Sequence, residues 1–157
     1  MLKFRLKNFV IHRLSNGLAG HDDFEEAKVD AIADFFKDLR TEQEPYVFAR
    51  MGWAVDGVGD WKGTKEDMED LRKNCFLQAV EKHFPVFLEI LKESKSGYLV
   101  NSGLTWVDFF VAEYLFTIQC LEPEIAKQHP QLFEYMKKVY SLPTITDYVA
   151  TREHENW

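Results

Sequence analysis

Three aspartates, Asp30, Asp34 and Asp38, recur at four-residue steps, with Asp23 or Glu26 extending the series. On a helix that spacing stacks carboxylates down one face. Like charges so placed repel by about 0.2–0.5 kcal/mol per pair. Three uses fit such a ladder: a plain solvated acidic face, helped near a helix start by the dipole; a cation-binding ladder at a subunit interface; or acceptors for a ligand ammonium. A hard divalent ion needs several oxygens closing on one point, and one ladder offers too few. No metal centre is expected.

Other candidate chemistry is sparse. The five histidines, His12, His21, His83, His129 and His154, stand at no metal-ligand spacing with Cys or Asp, and HExxH is absent. They read as structural or surface residues, with His129, just before Pro130, placed to cap a helix. Gly57-Val58-Gly59 lies in a loop over 52–63 and opens no strand-to-helix unit, so a nucleotide site is not expected. No Ser-His-Asp signature and no basic-aromatic stripe occurs. A net charge of −7 makes nucleic acid and anionic membrane surfaces poor partners. The charge is uneven: residues 1–14 carry four bases and no acid, residues 22–44 nine acids and three bases. Cys75 and Cys120 form no CxxC pattern and sit in apolar helical contexts, which predicts small core residues in a reducing, cytoplasmic setting.

The elements that must position these residues are helical. A loose apolar pattern allows a short helix over 3–14. Asp22 or Asp23 caps a long helix to about Glu44, with Phe24, Ala27, Ala31, Ile32, Phe35, Phe36 and Leu39 as its inner face. Pro45 bends or ends it, though Tyr46-Val47-Phe48 could continue the helix past a kink. Thr64 and Asp67 form a Thr-x-x-Asp box that opens the next helix, which meets Pro85 and resumes to about Lys95. A second box, Thr105 and Asp108, opens a helix in which twelve of the 17 residues from Thr105 to Leu121 are apolar. A helix apolar on nearly all sides is central, with every other helix packed against it. Short helices follow between Pro123 and Pro130, over Gln131–Leu142, and from Pro143 to 152 with Ile145, Tyr148 and Val149 inward. No period-two strand, repeat or membrane span appears, so the fold class is all-α, one domain by length.

The segment Gly103-Leu104-Thr105-Trp106-Val107-Asp108-Phe109 resembles the capping-box stretch of the buried helix in cytosolic glutathione transferases. Gly17-Leu18-Ala19-Gly20, followed by Val29 through Leu39, is similar to the start of that family's C-terminal helical domain in its sigma, prostaglandin-D-synthase-like class. His129-Pro130 and Leu142-Pro143-Thr144-Ile145 match later helix boundaries. The resemblance implies a helical bundle of the glutathione-transferase C-terminal-domain type over 17–157. Residues 1–16 are similar to the last helix of the thioredoxin-like domain plus linker. It implies conjugation of the glutathione thiolate to electrophiles as the parent reaction, glutathione as co-substrate and no other cofactor.

By the same resemblance Asp38 reaches across a dimer to glutathione held by the partner, Asp34 is an interface carboxylate for a cation, and Arg40, Tyr46 and Phe48 line the electrophile pocket. Lys37 stands where a further interface carboxylate is expected. Thr105 and Asp108 match the structural box. Pro45 is the first proline and Tyr46 the first tyrosine, so the family's cis-proline and catalytic tyrosine have no counterpart, and Lys7-Asn8 replaces its Gln-Ser pair. The expectation is a chain lacking the glutathione-binding domain and inactive alone. The alternatives are a non-catalytic module that pairs with itself or with a full-length transferase and takes small apolar ligands, or a truncated product.

Overall fold

The computed structural model describes residues 17–151. The expected helix over 3–14, the 1–16 remnant, His12, His154 and the final Trp157 lie outside them. Within them the chain is helical: α1 (Asp23–Arg50), α2 (Lys65–Leu71), a π-helical turn (Arg72–Leu77), α3 (Gln78–Ser94), α4 (Trp106–Leu121), α5 (Pro123–Gln128), α6 (Pro130–Tyr140) and α7 (Pro143–Thr151). Among the described residues no helix is long and apolar enough to cross a membrane.

α1 begins where Asp22 accepts the Glu25 N–H at 2.9 Å, and Asp23, Glu25 and Glu26 complement the dipole. It does not stop near Glu44; it runs through Pro45 to Arg50. Proline removes one backbone donor, but Tyr46, Val47 and Ala49 beyond it are buried, and Arg50 donates to the Leu121 carbonyl at 3.2 Å. That tertiary burial outweighs the local penalty of about 3 kcal/mol. The inner face is also rotated from expectation. Val29, Ile32, Phe36, Leu39 and Gln43 form it, while Ala27 and Ala31 are exposed and Phe24 is 83% exposed.

In the loop after α1, Trp53 and Asp60 pair as an isolated antiparallel bridge, and the Trp53 ring folds back on Phe48 at 6.0 Å. The Thr64 box then forms as read: the Thr64 N–H donates to Asp67 Oδ2 at 2.8 Å, and the Asp67 N–H to Thr64 Oγ1 at 3.1 Å. The π-helical turn has no counterpart in the sequence reading. Its Phe76 carbonyl is met by the buried Gln43 amide at 3.3 Å. α3 passes through Pro85 unbroken, with Phe84 and Phe87 buried on either side of it.

α4 packs against α6, α5 and α1, whereas α2 and the π turn pack on α1, and α7 on α6. The central helix thus meets α1, α5 and α6 directly, and the other elements reach it through α1 and α6. Cys120 is exposed on α4 and Cys75 half-buried, so neither is the core residue expected. Tyr148 is 57% exposed rather than inward; among the described elements α7 packs mainly on α6. His129 precedes α6 without capping it by a side-chain bond; its ring meets Phe84 edge-on at 5.0 Å.

The second box closes on the buried Asp108 carboxylate. Oδ2 accepts the Thr105 N–H at 2.7 Å and the Thr105 hydroxyl at 2.9 Å; Oδ1 accepts the Leu99 N–H at 3.0 Å and the Tyr135 hydroxyl at 2.8 Å. Burial pushes the carboxyl above its ordinary range, opposed by these four donors. Asp108→Ala strands four donors at once and is expected to lower stability by about 3 kcal/mol or more. A urea midpoint equal to the parent's would show that the carboxylate holds nothing.

Candidate functional site

Two stripes meet along one edge of the bundle. On α1, Phe36, Arg40 and Glu44 follow at four-residue steps; on α4, Trp106, Phe110 and Tyr114 do the same. Phe36 meets Tyr114 edge-on at 5.6 Å, and Trp106 meets Phe110 edge-on at 5.5 Å. The Arg40 Nε and Nη2 groups donate to Glu44 Oε1 at 3.1 and 2.8 Å. Beside this pair the Tyr114 hydroxyl is shielded from water and has no hydrogen-bond partner among the described residues. Burial raises its phenol above the ordinary range, a push that the Arg40 charge opposes. The seam therefore offers an aromatic wall, a charged edge and one unspent neutral donor.

Arg40 belongs to this seam, but Tyr46 and Phe48 do not share its side of α1. Six and eight residues on, they point about 240° and 80° round the helix from Arg40. Phe48 is half-buried beneath Trp53, and a side chain at Gly57 would meet its ring. Tyr46 is 1% exposed and donates its hydroxyl to Glu122. The structure thus places Tyr46 inside the core, away from any open wall. Tyr114 escaped the sequence reading because a helix apolar on nearly all sides shows no preferred face. The signal that could have found it is the aromatic repeat at 106, 110 and 114.

Glu122 is the hub of a second polar junction. Arg72, the first residue of the π turn, donates from Nε to both Glu122 oxygens at 3.1 Å and from Nη2 to Oε2 at 3.0 Å. Burial would raise the Glu122 carboxyl, but Arg72 and Tyr46 outweigh that and hold it below its ordinary range. Elsewhere, the buried His83 ring packs on Phe35 at 4.8 Å, with Nε2 3.2 Å from Glu42 Oε2.

The acidic ladder keeps to the surface. Asp30, Asp34 and Asp38 are all exposed on α1. Among the described residues no group of three or more His, Cys, Asp or Glu side chains converges as a metal site. Thr105 and Asp108 are both buried and serve the fold.

This architecture, a buried box-capped helix flanked by a long acidic helix, is that of the helical domain of glutathione transferases. The family model of the glutathione S-transferase C-terminal domain matches residues 58–152, and the chain belongs to that family. A relative, probable glutathione S-transferase 8 of Caenorhabditis elegans, is 36% identical over 136 residues, which is 87% of this chain and 61% of the relative. The chain thus spans less than two thirds of that protein. Monomeric Na-GST-3 of Necator americanus superposes with a TM-score of 0.78 at 35% identity, over 92% of this chain and 66% of that one. A Nu-class transferase of Haemonchus contortus gives 0.69 at 36%, over 90% and 63%.

The Glu122 junction has a definite pH signature. A carboxyl held below its unfolded value of about 4.5 stabilises the fold above that pH and loses its contribution as pH falls through the folded value. Glu122→Gln is expected to cost about 2 kcal/mol at pH 7, since Arg72 stays partly hydrated. The gap to the parent should narrow steadily below pH 4.5, read as melting temperatures across pH 3–7. A gap independent of pH would mean that Glu122 acts by shape alone.

Proposed function

We propose that this chain supplies the helical half of a glutathione transferase-like protein, its parent reaction being attack of the glutathione thiolate on an electrophile. The single observation that carries this reading is the family match together with the Arg40–Tyr114 seam. Its aromatic wall and polar edge suit the apolar body of an electrophile. Conjugation by the chain alone is negligible on this reading. A thiolate needs a pocket that binds glutathione and donors that lower its pKa. Of the described cations near the core, Arg40 is held by Glu44, Arg72 by Glu122 and Arg50 by the Leu121 carbonyl. The hollow between Phe36, Phe84, Val111 and Tyr114 is apolar and about 10 Å³, too small for a tripeptide, and a larger open cleft of about 280 Å³ lies apart from it, between Pro123, Ala126, Pro130 and Phe133.

A second reading has its own observation. Phe24 is almost wholly exposed on α1, with Ala27 and Ala31 exposed beside it. That apolar strip suits pairing, either with a second copy or with a full-length transferase, in which Asp38 would approach the partner's glutathione. The sigma-class resemblance of α1 favours such pairing, while one relative is described as monomeric and another as Nu class. Lys37 removes one ligand from any cation site at Asp34. Two free cysteines fit a cytoplasmic setting.

The pure chain, assayed with glutathione and 1-chloro-2,4-dinitrobenzene, is expected to match the uncatalysed rate; clear turnover would refute the inactive reading. Light scattering alone and with a full-length transferase tests the second. Phe24→Asp should abolish any dimer seen, and a strictly monomeric protein in both experiments counts against pairing.

A further inference from the structure

We propose that Tyr114 determines the specificity of the electrophile wall, its hydroxyl donating a hydrogen bond to an acceptor oxygen, such as a carbonyl, on an otherwise apolar ligand. The inference rests on the reading of the Arg40–Tyr114 seam as that wall. Its starting point is an unspent donor: the Tyr114 hydroxyl is shielded from water and finds no acceptor among the described residues. Buried polar groups in native proteins are almost always paired, and an exception points to a missing partner.

The other buried phenols show the contrast. Tyr46 donates to Glu122 and Tyr135 to Asp108, so each has its carboxylate. Glu44, the carboxylate whose charge acts on Tyr114, gives its Oε1 to Arg40 instead. A phenol is protonated at neutral pH in any case, and burial pushes Tyr114 further in that direction, so its hydroxyl can serve as a donor.

The surroundings set the rest of the ligand. Phe36 lies edge-on to the Tyr114 ring, and Phe110 stands one turn before it with Trp106 a turn earlier. These rings favour an apolar or aromatic body. The way in lies on the charged side. Arg40 and Glu44 have side chains 39% and 30% exposed and are paired within one helix turn. Water competes well with such a pair, so it yields to a ligand at small cost. The class selected is an apolar molecule with one acceptor oxygen; a hydrocarbon of the same shape fills the wall but leaves the hydroxyl unpaired. Sites built to bond a polar group discriminate against analogues lacking it for this reason.

Benzophenone and diphenylmethane differ only in a carbonyl against a methylene, and neither alkylates the exposed Cys120. Equilibrium dialysis with the whole chain should show benzophenone bound about threefold to tenfold more tightly than diphenylmethane, the gain of one net hydrogen bond. Tyr114→Phe should erase that preference and leave diphenylmethane binding unchanged. Its melting temperature should equal or exceed the parent's, because the lost hydroxyl bonds nothing in the fold. A preference that survives Tyr114→Phe overturns the inference alone, as does equal binding of both compounds by the parent, the outcome for a hydroxyl satisfied by a buried water. A marked loss of stability in Tyr114→Phe also overturns it, by revealing an internal partner. Saturable binding of neither compound overturns the wall reading itself, and this inference with it.

Discussion

A buried carboxylate is tolerable only if its lone pairs are filled, and Asp108 fills them from three parts of the chain. Thr105 caps it from the start of α4, Leu99 reaches it from the preceding loop, and Tyr135 from α6. The consequence is positional. A helix apolar on nearly every side gains similar burial at many rotations about its axis, so hydrophobicity alone leaves its setting loose. Four donors meet one carboxylate at a single setting. The loop over 96–104 and helix α6 are therefore placed by the same group that caps α4.

The other end of α4 is fixed by the same kind of device. Glu122 follows Leu121 directly and receives Arg72 from the π turn and Tyr46 from α1. Arg50 adds a bond to the Leu121 carbonyl. The π turn gains a structural reason here. Widening the helix at 72–77 coincides with Arg72 facing Glu122 and with the Phe76 carbonyl facing Gln43. Polar junctions thus hold both ends of the central helix, with an apolar seal of Val107, Val111, Leu115 and Ile118 between them. Removing either junction leaves charges or donors in a dry place, which is why each matters more than an exposed pair.

What was legible in the sequence had a local cause. Both Thr-x-x-Asp boxes, the cap at Asp22 and the prolines that open α5, α6 and α7 all act within one turn of themselves. What was illegible depended on distant groups. Whether the helix ends or continues at Pro45 is undecided by spacing until the burial beyond it is counted. Phe24 fits the inner stripe by spacing, yet the stripe is set by Val29, Ile32 and Phe36 meeting the core, and Phe24 falls outside it. Tyr46 stood among the expected electrophile-pocket residues; its burial depends on Glu122, 76 residues away. Nothing near 72–77 announces a π turn, because its partners are Gln43 and Glu122.

The same division separates the fold from the candidate site. The junctions at Asp108 and Glu122 lie inside, where any change is costly, and they fix where α1 and α4 stand. The seam of Arg40, Glu44, Phe110 and Tyr114 lies on the edge those helices form, half-exposed and free of the capping bonds. Side chains there can vary without disturbing either junction. A domain built this way keeps its helices in register while its wall is re-cut for different ligands, so the residues that reveal the family most clearly say least about what it binds. Tyr114 sits at the boundary: its ring belongs to the seal against Phe36, while its hydroxyl belongs to whatever the wall receives.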